Sequence, residues 1–351
     1  MKGGGYYDRH SRAQMASIQI LEHWIEEAVA NLPLPDPPQA VTVLDLGSSE
    51  GRNAIRVMTG IVAELRRRTV QPLVTIFSDL ASNNFNQLFA NLEQARSTFP
   101  ADVYPSAVGG SFYGPLLPSG SVHLATCFNS IIWLSQLPSV PILDFVGYRR
   151  PRPNRPGPYI SPEATAAYTR QAHEDLVRFL ECRARELVPG GKLLVASPGD
   201  TDNIHVGDGL YDVLNDAFLD LVAAGRLDRA QYERMAMPQY ARTLEELLAP
   251  LKRDDSPVRG AFAVDRAETL EVPTPFGVDF HHGGDRSAYA AAYTGFLRAI
   301  SEPVVRAGLN EPERQSAILD SLYERVKARL LTEPERYVFR YIIVAVLLSR
   351  R

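Results

Sequence analysis

Apolar side chains recur at helical spacing between residues 11 and 30, at Met15, Ile18, Leu21, Ile25 and Val29, and this predicts a helix. The segment NLPLPDPPQA (31–40) ends it, because proline cannot continue a helix. A compact apolar run with β-branched residues, VTVLDLG (41–47), reads as a buried strand, and helical periodicity returns over 51–68. The alternation repeats: LVTIFSDL (73–80) predicts a second strand and NNFNQLFANLEQAR (83–96) a second helix. Further strands are expected at 102–108, 121–127 and 192–197, and a strong final strand at 338–348. Two stretches interrupt the pattern. Residues 139–162 are crowded with Pro and Arg and predict a long loop, whereas 203–258 reads as mainly helical. Helices are expected again near 285–307 and 311–331.

Strands alternating with helices predict a parallel α/β sheet covered on both faces. The expected organisation is an N-terminal active-site helix or lid (1–30), then an α/β core (31–202) carrying the 139–162 loop. A helical cap insertion (203–258) follows, and a C-terminal stretch (259–351) completes the core. No internal repeat of solenoid length is present.

Composition narrows the function class. With 351 residues, 45% hydrophobic and 22% charged, the chain can bury a full globular core. A formal net charge of −4 argues against nucleic acid or an anionic membrane as the main partner. No apolar run reaches the length of a membrane span, and MKGGGYYDRHSRAQ lacks the apolar stretch of a secretion signal. Cys127 and Cys182 cannot form a disulfide framework and lack metal-ligand spacing. The expected location is therefore cytoplasmic. Basic residues are nearly all Arg, which with the many Ala and Pro suggests a GC-rich bacterial genome.

Open parallel sheets bind ligands at the carboxyl ends of their strands, beside a switch in strand order. VLDLGSSEGRN (43–53) places Asp45, Gly47 and Gly51 at such an edge, before a helix. This is not G-x-G-x-x-G, the spacing that cradles a pyrophosphate, which argues against a nicotinamide-dependent dehydrogenase. A carboxylate at Asp45 would also repel a phosphate; it suits a cationic ligand such as the amino and sulfonium groups of S-adenosylmethionine (SAM). Asp79 ends the second strand, well placed to accept hydrogen bonds from ribose hydroxyls.

Several ordered segments then resemble one family, the SABATH carboxyl and N-methyltransferases of salicylic acid, benzoic acid and theobromine type. MKGGG followed by Tyr7, Ser11 and Gln14 is similar to that family's N-terminal pattern, and DLGSSEGRN (45–53) to its D-L-G-C-S-S-G-x-N loop. SDLASNNFNQLF (78–89) resembles its second-strand motif, and GGSFYGPLLPSGSVHLATCFNSIIWLSQLP (109–138) its G-S-F-Y and W-L-S-Q-V-P landmarks. VPGGKLLVASPG (188–199), MPQY (237–240) and AISEP (299–303) resemble later ones. The resemblance implies a Rossmann-like methyltransferase core, a doubly wound sheet that is mostly parallel with an antiparallel final strand, plus a helical cap. It implies SAM as cofactor, with Ser11, Asp45, Gly47 and Asn53 at its methionyl end and Asp79 at the ribose. Leu80, Ser111 and Phe112 would lie at the adenine. A small carboxylic acid would be gripped by Gln14 and Trp133, with Tyr7, Asn129 and Ile132 beside it, in a homodimer.

Taken alone, Ser11 reads first as a helix N-cap and Trp133 as a core aromatic. If the N-terminal segment is one helix, however, Tyr7, Ser11 and Gln14 share a face that could close over cofactor and acid together. Carboxyl methylation needs no general base, since a carboxylic acid is already ionised at neutral pH. It needs an oriented oxygen and a dry pocket, and Gln14 and Trp133 are neutral donors suited to both.

Plant members usually carry tyrosine where this chain has Asn129, and often histidine or methionine at Ile132; serines stand where Cys127 and Phe128 occur here. Aliphatic replacement predicts a pocket open to alkyl chains: medium-chain fatty acids or benzoate- and salicylate-like acids. The alternatives are N-methylation of a purine-like alkaloid and a non-catalytic methyltransferase-fold binding protein. No metal is expected. SPEATAAYTR (161–170) lacks the Asn through which some members bind one, and adjacent His281 and His282 point apart in most backbones. Cys127 reads as an inert strand-end thiol.

Overall fold

The structure, a computed structural model, describes residues 3–142, 145–148, 150 and 160–351. Three short helices open the chain: α1 (Tyr6–His10), α2 (Arg12–Gln19) and α3 (Glu22–Ala30). Thus the expected helix over 11–30 bends at Leu21, while Ser11 separates it from α1 (φ −97°, ψ 23° at Ser11; −105°, 9° at Leu21). The apolar stripe survives the bends, and Ile18, Leu21, Trp24, Ile25 and Val29 are all buried.

The core follows as β1 (Val41–Leu46), α4 (Arg52–Arg66), β2 (Leu73–Asp79), α5 (Phe85–Gln94), β3 (Val103–Gly109), β4 (Val122–Phe128), α6 (Pro162–Glu186) and β5 (Leu187–Pro198). Every residue of β4 is buried, as expected of a central strand covered on both faces. Seven residues of α4, from Ala54 to Leu65, form its buried stripe. The 25-residue α6 is the crossover from β4 to β5; its first turn is capped by Ser161, and Pro162 occupies a position where no amide hydrogen is needed. Much of the expected 139–162 loop lies outside the described residues. Of the remainder, Tyr148 stacks between Tyr168 and Tyr240.

Beyond β5 come α7 (Leu210–Ala223), α8 (Arg229–Tyr232), α9 (Leu244–Lys252), β6 (Phe262–Val272), α10 (Pro275–His281), α11 (Arg286–Gly308), α12 (Pro312–Thr332) and β7 (Tyr341–Arg350). The seven strands form one sheet in the order β3-β2-β1-β4-β5-β7-β6. β1 to β5 pair in parallel, and β7 runs antiparallel between β5 and β6. The sheet and the antiparallel last strand are as the sequence implies.

β6 was not expected. It is an edge strand whose outward positions, Asp265, Arg266, Glu268 and Glu271, hide the apolar alternation; charges on an edge also discourage further strand pairing. The helices divide by partner. α9 lies against α6, β6 and β7, whereas α12 packs on α7 and α11, and α1 leans on α11. This second group roofs the carboxyl edge, where strand order switches between β1 and β4. Among the described residues, no helix is long and apolar enough to cross a membrane.

Candidate active site

The turn after β1 is folded onto the end of β2. Gly47 and Ser48 both donate their amides to the Ser78 carbonyl (2.8 and 3.0 Å), and the Ser49 amide donates to Asp79 Oδ2 at 2.7 Å. Such a path needs left-handed residues at Gly47 (φ 92°), Ser49 (52°) and Gly51 (102°). Gly47 is also crowded, since a Cβ there would lie 2.0 Å from Ser130 Oγ. The turn therefore presents backbone, not side chains, to whatever occupies the crevice.

Asp45 sits beneath it, fully buried. Ser48 Oγ donates to its Oδ2 (2.7 Å) and Thr126 Oγ1 to its Oδ1 (2.9 Å). Burial pushes its carboxyl up to about 6, against the pull of those two hydroxyls. Asp79 is likewise raised by burial, opposed by the amides of Ser49 and Leu80. Two acids held above their usual range at neighbouring strand ends are suited to a ligand bearing positive charge and hydroxyl donors.

Leu80 follows Asp79 and is 54% exposed, a large apolar side chain left open at the strand end. Ser111 and Phe112 follow β3, which pairs with β2 in register (Asp79 with Gly109), with the Gly110 amide donating to the Asp79 carbonyl; the Phe112 ring packs against Tyr113 and Phe179. Asn53, in the first turn of α4, reaches the N-terminal segment through Nδ2, 3.2 Å from Ser11 Oγ. Ser11 makes no side-chain cap to α2, so its N-cap reading is not realised.

Two small chambers meet above this floor. One, of about 30 Å³, is lined by Asp45, Gly47, Ser48, Ser49 and Asn53 among others. The second, of about 60 Å³, is lined by Ile132, Trp133, Leu210, Phe296, Ile300 and Phe339 among others, with no charged side chain. Tyr7, Gln14 and Asn129 line both. Despite the bend at Ser11, α1 and α2 bring Tyr7 and Gln14 to this shared wall.

Gln14 is buried, and its Oε1 has no hydrogen-bond partner among the described residues. A buried amide left unpaired by protein is costly unless a ligand answers it, and the two ends of an amide exchange by a simple flip. Trp133 is held by its backbone: its carbonyl accepts from Tyr113 Oη (2.5 Å), while Leu134 and Tyr240 amides stitch residues 132–134 to 238–240. Arg242, buried, anchors the same turn by donating to the Ile131 and Ala172 carbonyls, each at 2.6 Å.

Some contributors lie beyond the sequence reading. Glu50, buried in the turn, accepts the amides of Gly4 and Gly5 (2.9 Å each) and so fastens the N-terminus over the site. A carboxylate inside a glycine turn, beside a glycine-rich terminus, was the available signal. Thr126, Tyr211, Gln239 and Tyr341 also reach the site, from strands and helices far apart in sequence. Cys127 is buried, its thiol pushed up to about 12 by burial. Among the described residues, no group of three or more His, Cys, Asp or Glu could hold a metal ion.

Known proteins supply the remaining comparison. The family model described as SAM dependent carboxyl methyltransferase matches residues 1–351. An indole-3-acetate O-methyltransferase of Oryza sativa subsp. japonica is 30% identical, the match covering 99% of this chain and 92% of that protein. A salicylate carboxymethyltransferase of Clarkia breweri is 28% identical over 100% of this chain and 97% of its own. A solved loganic acid methyltransferase with SAH shares the fold, with a TM-score of 0.81 at 24% identity, covering 100% of this chain and 98% of the other.

Proposed function

Because the chain belongs to the SAM-dependent carboxyl methyltransferase family, we propose that it forms methyl esters of small, apolar carboxylic acids, medium-chain fatty acids or benzoate- and salicylate-like acids. The observation that carries this reading is the junction of the two chambers at Tyr7, Gln14 and Asn129, one chamber acidic and backbone-lined, the other apolar and uncharged.

The crevice residues fit the cofactor. Buried Asp45 offers a carboxylate to the ammonium end, Gly47 and Asn53 complete that wall, and Ser11 stands behind Asn53 as its hydrogen-bond partner. Asp79 keeps lone pairs for ribose hydroxyls beyond the two amides it already accepts, and the family resemblance assigns the adenine to Leu80, Ser111 and Phe112, which follow the paired ends of β2 and β3. When bound, SAM supplies an electrophilic methyl group on a sulfonium.

On the acid side, Gln14 and the Trp133 indole N–H act as the carboxylate grip, with Ile132 and Tyr7 against the rest of the molecule. Neutral donors orient a carboxylate without the ground-state stabilisation of an Arg fork, which would oppose loss of its charge. The uncharged walls exclude water, whose hydration of the carboxylate would have the same retarding effect. No side chain has to take a proton, since the acid arrives ionised. The family resemblance extends the reading to a cytoplasmic homodimer.

The test is methyl transfer from labelled SAM to acids from acetate to laurate, benzoate and salicylate, with xanthosine as a control. Turnover of acids is expected; inert acids alongside methylated xanthosine would overturn the reading. Gln14→Ala and Trp133→Ala should each lower kcat/KM at least about tenfold for every accepted acid, as expected for a lost hydrogen bond to a charged group. Full activity in both variants would remove the grip.

A further inference from the structure

At the end of β4 the backbone of Asn129 takes a left-handed turn, φ 60°, in which asparagine is one of the few tolerated non-glycine residues. Its side chain is not idle there. Tyr341 Oη, at the start of β7, donates to Asn129 Oδ1 at 2.6 Å, and Asn129 Nδ2 donates to Ser17 Oγ at 3.0 Å. Ser17 Oγ lies 2.7 Å from the Gln14 carbonyl and 3.2 Å from Asn129 Oδ1; the shorter bond takes its proton, which leaves it an acceptor for Asn129 Nδ2.

That order fixes the amide. With Ser17 donating to Gln14, Oδ1 faces Tyr341 and Nδ2 faces Ser17, and the second Nδ2–H has no acceptor among the hydrogen bonds of the described residues. Asn129 lines both chambers, beside Gln14, and the chain of bonds joins β7, β4 and α2 into one frame. All four members, Tyr341, Asn129, Ser17 and Gln14, are buried or half-buried.

We propose that Asn129 is a third neutral donor to the substrate carboxylate, aimed by Tyr341 and Ser17, and that Tyr341 is its positioning residue. The proposal rests on the carboxyl methyltransferase reading above and adds a role for a frame that reading does not use. Three donors, from Gln14, Trp133 and Asn129, can engage both carboxylate oxygens and leave one lone pair directed at the junction. Burial raises the Tyr341 phenol above its usual range, so it remains a donor across any practical assay pH.

The backbone demand at Asn129 and the amide's role are separable. Asn129→Gly keeps a residue suited to positive φ and deletes the amide, whereas Asn129→Asp keeps the shape and turns the free donor into an anionic acceptor. Initial rates with an acid that the wild type accepts should show kcat/KM lower about tenfold in Asn129→Gly, carried mainly by KM. Asn129→Asp should lose more, about 100-fold, through repulsion of the substrate carboxylate. The Kd for SAM, measured by calorimetry, should stay within twofold in both. Tyr341→Phe should lose about three- to tenfold, again in KM, and should cost nothing further in the Asn129→Gly background.

A kcat/KM near wild type in folded Asn129→Asp would overturn the donor role. A SAM Kd that collapses in Asn129→Gly would reassign the residue to the cofactor. Additive losses in the Tyr341→Phe and Asn129→Gly pair would reduce Tyr341 to ordinary packing. Wild-type protein that methylates no acid would sink the carboxyl reading itself, and this proposal with it; acid turnover together with an unimpaired Asn129→Asp sinks this proposal alone.

Discussion

Around Asp45 the chamber wall is largely one short stretch of chain, residues 45 to 57, closed from above by the N-terminal helices. Around Trp133 the wall is gathered from α1, α2, the turn after β4, the end of β5, α7, the 237–240 segment, α11 and the approach to β7. The first surface is backbone and carboxylate, fixed by left-handed residues that tolerate no bulk. The second is mostly apolar side chains, contributed by many elements. A chamber built from one turn is hard to alter without losing it, whereas a chamber assembled from many elements can change one residue at a time. The contrast fits a constant cofactor beside a variable acid, and it can be broken experimentally.

The largest expected effect is at Asp45. Its folded-state carboxyl, raised to about 6 from 3.8, makes the native state hold a proton that the unfolded chain releases. Stability of the ligand-free protein attributable to this group is therefore greatest at low pH and falls as pH rises from about 4 to 6. The linkage cost above that window is on the order of 3 kcal/mol. Asp45→Asn should therefore raise the melting temperature of ligand-free protein at pH 8 by a few degrees while weakening SAM binding on the order of 100-fold or more. Thermal melts and calorimetry on the same samples check both signs. A variant that binds SAM normally would end the assignment of Asp45 to the cofactor.

Gly47 should come next. Alanine there meets Ser130 Oγ at 2.0 Å and must hold φ at 92°, a strain of about 1–2 kcal/mol even before the clash. Gly47→Ala is expected to weaken SAM binding roughly tenfold and to lower the melting temperature. Adding Ser130→Gly should recover part of the loss, because it relieves the clash and leaves the backbone strain. Complete recovery would show that the turn needs space alone and not a left-handed residue.

How much of this was legible in sequence follows the same division. The strands β1 to β5, the glycine turn and the acids at Asp45 and Asp79 are local patterns, and the structure puts them at one edge as expected. The helices at 285–307 and 311–331 were legible as periodicity, but their packing over α7 and α1 depends on contacts distant in sequence. β6 was hidden because an edge strand protected by Asp265, Arg266, Glu268 and Glu271 has no clean apolar alternation. The bend at Leu21 left no trace in the stripe of apolar residues, since α2 and α3 share it across the bend. Tyr341 and Thr126 were invisible for a simpler reason: each sits in an ordinary strand and gains meaning only from partners distant in sequence, Asn129 for Tyr341 and Asp45 for Thr126.

A milder probe uses pH. Proton release from Asp45 must accompany binding of a cation, so SAM affinity should improve about fivefold between pH 5 and 6, by about twofold more above pH 6, and then level off toward pH 8. Asp79, also raised, would steepen the acid limb. The acid chamber has no such group on its wall, so KM for a strong carboxylic acid should vary little over pH 6–8. Equal pH dependence on both sides would mean that the two chambers are not electrostatically distinct.

The smallest effect sharpens the comparison from the variable side. Ile132 is buried and lines the acid chamber but not the chamber at the glycine turn, so trimming it should enlarge one space and spare the other. Each added methylene in an apolar pocket is worth about 1–3 kcal/mol. Ile132→Ala removes roughly three carbons, yet part of the gain is lost because a chamber wall relaxes inward. The expected outcome is a shift in kcat/KM of about five- to tenfold toward acids longer by one or two carbons, with the SAM Kd unchanged. Competition between two acids of adjacent length in one reaction reads this ratio directly and is insensitive to the amount of folded enzyme. If the ratio stays at its wild-type value while overall activity falls, Ile132 is packing for Trp133 and does not touch the acid.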